Sequence, residues 1–168
     1  MKTFDVKDAI KTAIQMEKDG HAFYIKAAAQ TMNNLGRTVF EGLAADELVH
    51  LDTFQRIFQG KIDSVEWETL VQSNSKYSNL TLFPKDLKTM KNPNLNSNEI
   101  DALRMGMDSE KEAIEYYTTI VRDTSDSEVK EILTEIINQE KNHYLLLQQE
   151  FTHISSTGLW YDPDPRGA

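Results

Sequence analysis

The sequence predicts an all-α protein, a four-helix bundle with one long crossover between its second and third helices. Three observations carry this expectation. Four long segments place apolar residues at helical spacing. Two of the links between them are short and one is long. A constellation of glutamates and a histidine occurs twice, 93 residues apart, from Glu17 to Glu110.

The first segment runs from about residue 5 to 33, with Val6, Ile10, Ala13, Ile14, Tyr24, Ile25 and Ala28 on one stripe. Asn34-Leu35-Gly36 follows, and Gly36 suits a left-handed helix stop. The second runs from about residue 37 to 59, with Phe40, Leu43, Ala44, Leu51, Phe54 and Phe58 inward. The third runs from about residue 97 to 122, with Ile100, Leu103, Met107, Ala113, Ile114 and Val121 inward. The fourth begins at Ser125, where Ser125-Asp126-Ser127-Glu128 reads as a capping box with Ser125 at the cap. It continues to about residue 153 through Val129, Ile132, Leu133, Ile136, Leu147 and Phe151.

Short links make helices 1 and 2, and helices 3 and 4, antiparallel hairpins. The link from Gly60 to Asn96 is polar, carries Pro84 and Pro93, and has room for one short helix near residues 65–71. A span of that length crosses the bundle and makes helices 2 and 3 parallel, the one-crossover, ferritin-like arrangement rather than the up-down-up-down one. Residues 1–157 are therefore expected to form the bundle, with its crossover at 60–96, and residues 158–168 a C-terminal tail containing Pro163 and Pro165. Trp160 and Tyr161 imply that the start of the tail packs against this subunit or a neighbour.

Composition narrows the function. With 168 residues the chain is long enough for a core without staples. It has no cysteine, which excludes disulfides, iron–sulfur clusters and Cys-based zinc sites, so redox chemistry must use oxygen and nitrogen ligands. A formal net charge of -9 disfavours nucleic acid and anionic membrane surfaces as partners. No apolar run approaches membrane-spanning length, and Met1-Lys2-Thr3-Phe4-Asp5 has no apolar signal core. A soluble, cytoplasmic protein is the expectation.

The repeat supplies the chemistry. Glu17, Glu47 and His50 recur as Glu110, Glu140 and His143, and Tyr24 recurs as Tyr117. Glu17 and His50 are centred on the first short loop, Glu110 and His143 on the second, so each hairpin brings its own set to one level. Glu-x-x-His puts both side chains on one helix face a turn apart. The four glutamates sit on apolar stripes, where an ionised carboxylate is costly unless compensated. Two divalent cations cancel four such charges and offer bonds to their oxygens. Ferritin-like di-iron and di-manganese bundles use this ligand set, and carboxylates with imidazoles suit iron or manganese better than zinc. The plain alternative is ordinary surface glutamates. One Glu-x-x-His would be weak evidence against it, but two at one offset, each with a glutamate 30 residues upstream (Glu17 before Glu47), are not easily accidental.

Around these six, Tyr24 and Tyr117 fit two readings, core aromatics or hydrogen-bond donors to a ligating carboxylate across the bundle. Asp46 and Gln139 fit two as well, a solvated helix edge or partners for the far nitrogen of the opposite helix's histidine. His21 aligns with Ile114 in the repeat and reads as a core or supporting residue, not a ligand. His153 lies near the end of helix 4 and reads as structural or exposed. Gly20 and Ala113, three residues past Glu17 and Glu110, either leave room for dioxygen or peroxide or simply allow close packing.

With these residues in place, the chain resembles the rubrerythrin branch of the ferritin-like superfamily. The resemblance lies in residues 16–24 (Met-Glu-Lys-Asp-Gly-His-Ala-Phe-Tyr), 43–50 (Leu-Ala-Ala-Asp-Glu-Leu-Val-His), Glu110 to Tyr117 and Glu140 to His143, and covers roughly residues 5–154. It implies a di-iron oxidoreductase that reduces hydrogen peroxide or dioxygen in oxidative-stress defence. The implied cofactor is two iron ions, with manganese or a mixed pair as alternatives. Glu17, Glu47, His50, Glu110, Glu140 and His143 would be the ligands, with Glu47 and Glu140 bridging, and a homodimer is expected. Two departures bear on this. Rubrerythrins commonly carry a Cys-ligated rubredoxin domain; without cysteine, electrons must come from a separate redox partner. They also carry an extra glutamate one turn past the third-helix ligand, where this chain has Ala113. That brings the set closer to the four-Glu, two-His set of ferritins, so a ferroxidase or iron-storage role is the alternative. A substrate oxygenase and a metal-free helical interaction module complete the field.

Overall fold

The computed structural model of the chain describes residues 6–58, 63–65, 68–69 and 96–163. Among the described residues four long helices carry the fold: α1 (Val6–Gln30), α2 (Asn34–Phe58), α3 (Asn96–Asp123) and α4 (Ser127–Thr157). No strand occurs among the described residues. None of their helices is long and apolar enough to cross a membrane.

Helix direction follows from the contacts. Tyr116 and Tyr117 on α3 donate to the carbonyls of Ala9 and Ala13 on α1, and Tyr24 donates to Glu110. Numbers rise on one helix as they fall on the other, so α1 and α3 are antiparallel. Each short loop reverses the chain, which makes α2 and α3 parallel. The chain thus leaves α2 at one end of the bundle and enters α3 at the other, as a single crossover requires. The short helix expected near 65–71 falls largely outside the described residues, as does most of the crossover.

The apolar core is two clusters with a polar layer between them. One holds Ile10, Ile14, Phe54, Phe58, Tyr117 and Leu133 near the α3–α4 loop. The other holds Phe23, Tyr24, Phe40, Leu43, Leu103, Leu147 and Trp160 near the α1–α2 loop. On every helix the repeated glutamates and histidines fall in the gap between these clusters. Ile25, expected inward, is 48% exposed, while Phe23 is buried edge-on against Tyr24 at 5.2 Å. Each residue turns the helix by about 100°, so the stripe carrying Tyr24, Ala27 and Ala28 can take Phe23 or Ile25 beside it, but not both.

The helix ends differ from expectation in two places. Gly36 does not stop α1. It lies buried in the first turn of α2, and the one glycine at positive φ among the described residues is Gly158. The Asn33 side chain accepts from the amides of Leu35 (2.8 Å) and Gly36 (3.2 Å) and so caps α2. Glycine is needed at 36 for another reason: a Cβ there would collide with the Trp160 ring and with Thr31. Likewise Asp126, not Ser125, caps α4, accepting from the amides of Glu128 (3.1 Å) and Val129 (3.2 Å). With the cap at 126 the third helical position is Val129, which cannot close a capping box. An ionised carboxylate at the positive end of a helix is reason enough for the shift.

The tail packs in this chain. Gly158 ends α4 with φ 75°, its amide returning to Ile154 at 2.8 Å. Trp160 then inserts over Gly36, meets Phe40 edge-on at 5.8 Å and donates from Nε1 to buried Glu99 at 2.7 Å. The Tyr161 amide donates to buried Glu150 at 3.1 Å. Gly36→Ala should therefore destabilise the chain by about 1–3 kcal/mol through overpacking. In a Trp160→Ala background the same change should become neutral or favourable, since alanine is the better helix former. Urea titration of the four proteins measures this coupling.

Candidate metal centre

The polar layer gathers Glu17 from α1, Glu47 and His50 from α2, Glu110 from α3, and Glu140 and His143 from α4. All six are buried, none more than 7% exposed. Their donor atoms form two overlapping groups, Glu17, Glu47, His50 and Glu140 in one and Glu47, Glu110, Glu140 and His143 in the other. Within each group one donor atom per residue lies within 4.8 Å of the others, so each could hold a metal ion. Glu47 and Glu140 belong to both.

Both imidazoles turn Nδ1 into the layer. His50 Nδ1 is 3.1 Å from Glu140 Oε1 and 3.2 Å from Glu17 Oε2, and His143 Nδ1 is 3.0 Å from Glu140 Oε2. Both turn Nε2 outward, His50 to Gln139 Oε1 at 2.8 Å and His143 to Asp46 Oδ2 at 3.1 Å. Of the two readings open for Asp46 and Gln139, this geometry selects the second: each holds the far nitrogen of a histidine on the opposite helix. The tyrosines resolve in the same way. Tyr24 donates to Glu110 Oε1 and Tyr117 to Glu17 Oε1, and both phenols are fully buried.

His21 stays out of the layer; its Nδ1 meets the Ala44 carbonyl at 2.8 Å. His153 lies edge-on to Tyr161 on the surface of α4. Gly20 does more than permit packing, because a Cβ there would sit 3.1 Å from the Glu47 carboxyl carbon. Beside it, a cavity of about 30 Å³ is lined by Gly20, Ala113, Glu17, Glu47, Glu110 and Glu140. That volume suits one water-sized molecule. Asp19 lines the same cavity and was not singled out by sequence. Its place three residues before Ala22 on a mixed face carries no signal, although its i−4 partner Gln15 donates to it at 2.9 Å.

Electrostatics shows how the layer stands without a cation. Burial, then the charges of Glu17 and Glu140, push the Glu47 carboxyl well above its ordinary range. Burial and Glu140 do the same to Glu110. Burial opposes the charged form of His50, but hydrogen bonds to Glu140 and Glu17 outweigh it and lift the imidazole to about 11. Burial likewise opposes ionisation of Glu140, and hydrogen bonds from His143 and His50 outweigh it, holding the carboxyl at about 2. Burial and the neighbouring carboxylates push both phenols up, so Tyr24 and Tyr117 stay protonated donors. Among the described residues no buried side-chain nitrogen or oxygen lacks a partner. Protons therefore do the work that cations could do, and the donor set fits divalent ions of oxygen and nitrogen preference.

A sign follows for Glu47. Its folded pKa is raised, so above the ordinary glutamate value the folded chain binds more protons than the unfolded one, and stability falls as pH rises towards the folded pKa. Glu47→Gln removes this slope. The metal-free variant should gain about 1–3 kcal/mol near neutral pH and show a flatter stability profile above pH ~5, measured by urea titration in chelator. Cation loading of the wild type should release protons, detectable with a weakly buffered indicator.

Comparison with known proteins agrees with this fold. In fold the chain is similar to a hypothetical protein from Pyrococcus furiosus, with 18% identity, a TM-score of 0.69 and coverage of 92% of this chain and 93% of that one. It is also similar to an uncharacterized conserved protein from Magnetospirillum magnetotacticum MS-1, with 20% identity, a TM-score of 0.61 and coverage of 96% and 99%. No curated protein matches. The Rubrerythrin family model matches residues 8–151, a span that holds all six side chains of the layer, and the chain belongs to the rubrerythrin family.

Proposed function

We propose that this chain is a non-haem di-iron oxidoreductase that reduces hydrogen peroxide or dioxygen with electrons from a donor outside this sequence. One observation carries the reading: two buried four-residue donor groups share Glu47 and Glu140 and flank a water-sized cavity. Bound iron would supply the redox chemistry, two one-electron oxidations delivering the electrons that, with two protons, reduce one peroxide to two waters.

The chain's own part is positioning, charge and exclusion. Glu47 and Glu140 lie in both groups and would bridge. Glu17 with His50, and Glu110 with His143, would complete the two ends. Tyr24 and Tyr117 pin one oxygen each of Glu110 and Glu17, leaving the other oxygen to face the layer. The apolar clusters above and below shield the layer from both ends, which strengthens the interactions inside. Gly20 and Ala113 keep the one small space open. A cavity of about 30 Å³ suits a very small molecule and not an organic substrate, which disfavours the oxygenase reading. These 168 residues contain no cysteine, so the electrons would come from a redox group outside them.

A ferroxidase role is the second reading, and Ala113 favours it. It stands at the cavity where a further carboxylate would make the set unsymmetrical. Anaerobic addition of ferrous ion, followed by peroxide or air, separates the two. The peroxidase reading expects two irons per chain and oxidation much faster with peroxide. Faster reaction with air would favour the ferroxidase, and absence of binding would end both. Glu47→Ala and Glu140→Ala should each lower iron affinity by about 100-fold or more, since loss of a supporting group alone costs 10–100-fold.

A further inference from the structure

The six side chains of the layer repeat almost symmetrically, but the groups behind the two imidazoles do not. The offset that carries Glu47 to Glu140 and His50 to His143 carries Asp46 to Gln139. Asp46 accepts from His143 Nε2 at 3.1 Å, and Gln139 accepts from His50 Nε2 at 2.8 Å. The geometry is alike and the chemistry is not. A carboxylate draws the Nε2 proton towards itself and pushes electron density to Nδ1, the nitrogen that faces the layer. An amide carbonyl does so far more weakly, because it is neutral. Asp46 is 58% exposed, so solvent screens its charge at a distance, but the effect here passes through a direct hydrogen bond. Among the described residues lining the cleft over Gln139 the one cation is Arg56, which pairs with Asp52 at 3.3 Å, and the acids there are Glu128 and Glu135.

We infer that the two ion positions are inequivalent. The position between Glu110 and His143, backed by Asp46, binds a divalent cation more tightly and favours the higher oxidation state. The position between Glu17 and His50, backed by Gln139, is the weaker one and favours the lower oxidation state. Asp46 and Gln139 are thus positioning residues that set the difference. The inference rests on the metal-centre reading above.

Anaerobic titration of the full chain with Co(II), followed by calorimetry and visible absorption, tests it through Kd rather than activity. Gln139→Glu keeps the reach of the side chain and supplies the missing carboxylate; it should tighten the weaker step by about tenfold and leave the tighter one unchanged. Asp46→Asn should weaken the tighter step by about tenfold and leave the other. In Mössbauer spectra of the chain loaded with two ferrous ions, two wild-type doublets of equal area should move towards one in Gln139→Glu. Neither residue is fully buried, and helicity measured in chelator verifies that both variants fold. Two bound ions whose affinities ignore both substitutions would overturn the inference alone. A wild-type chain that takes up neither Co(II) nor Fe(II) would overturn the metal-centre reading, and the inference with it.

Discussion

Four carboxylates meet at the waist of this bundle, shut away from water by an apolar cluster on either side. Left ionised and unaccompanied, they would repel one another in a medium that screens poorly. Everything else in the layer answers that repulsion. Glu47 and Glu110 hold on to protons, His50 carries one, and Glu140 keeps its charge because two imidazoles face it. Such an arrangement is satisfied hydrogen bond by hydrogen bond, yet it is held together by protons that a divalent cation can displace. A layer of this kind makes the metal-free chain sensitive to pH and the loaded chain sensitive to chelation.

The fold is arranged to keep that layer in register. Both hairpins are antiparallel, so a glutamate before each turn and a Glu-x-x-His after it arrive at one height. Tyr24 belongs to the cluster near the α1–α2 loop and Tyr117 to the other, and each reaches across to the glutamate of the opposite hairpin. Each phenol thereby ties one apolar cluster to one carboxylate and one hairpin to the other. Phe54 packs edge-on to Tyr117 at 5.6 Å, and Phe40 stacks on Tyr24 at 6.3 Å, which fixes the rings that fix the carboxylates. Register in the layer is thus set by aromatic packing outside it.

Much of this was legible in the sequence because it is periodic. A motif that repeats at one offset, on helices of matching phase, places six side chains without knowledge of any contact, and the topology follows from loop lengths. The family match and the fold bear out the bundle and its kind. What escaped was not periodic. Gly36 looks like a helix stop until Trp160 arrives from the far end of the chain and takes the space its side chain would need. Glu99 looks like an ordinary charged helix residue until the same indole bonds it. Ser125 and Asp126 are both good caps, and the choice turns on a single residue of chain path. Asp46 and Gln139 could be paired with their histidines only once the antiparallel register of α2 and α4 was known.

Charge arithmetic gives Ala113 its weight. Four carboxylates with two neutral imidazoles balance two divalent cations, so the proposed reduced centre is neutral in a dry layer. Losing two electrons leaves an excess of two positive charges there. A fifth carboxylate at 113 would absorb one of them and favour the oxidised state. Alanine absorbs none, and the two phenols, held protonated by burial and by the carboxylates they serve, cannot take up the excess either. The uncompensated charge favours the return of electrons. A centre of the proposed kind would therefore be biased towards being reduced again rather than towards resting oxidised.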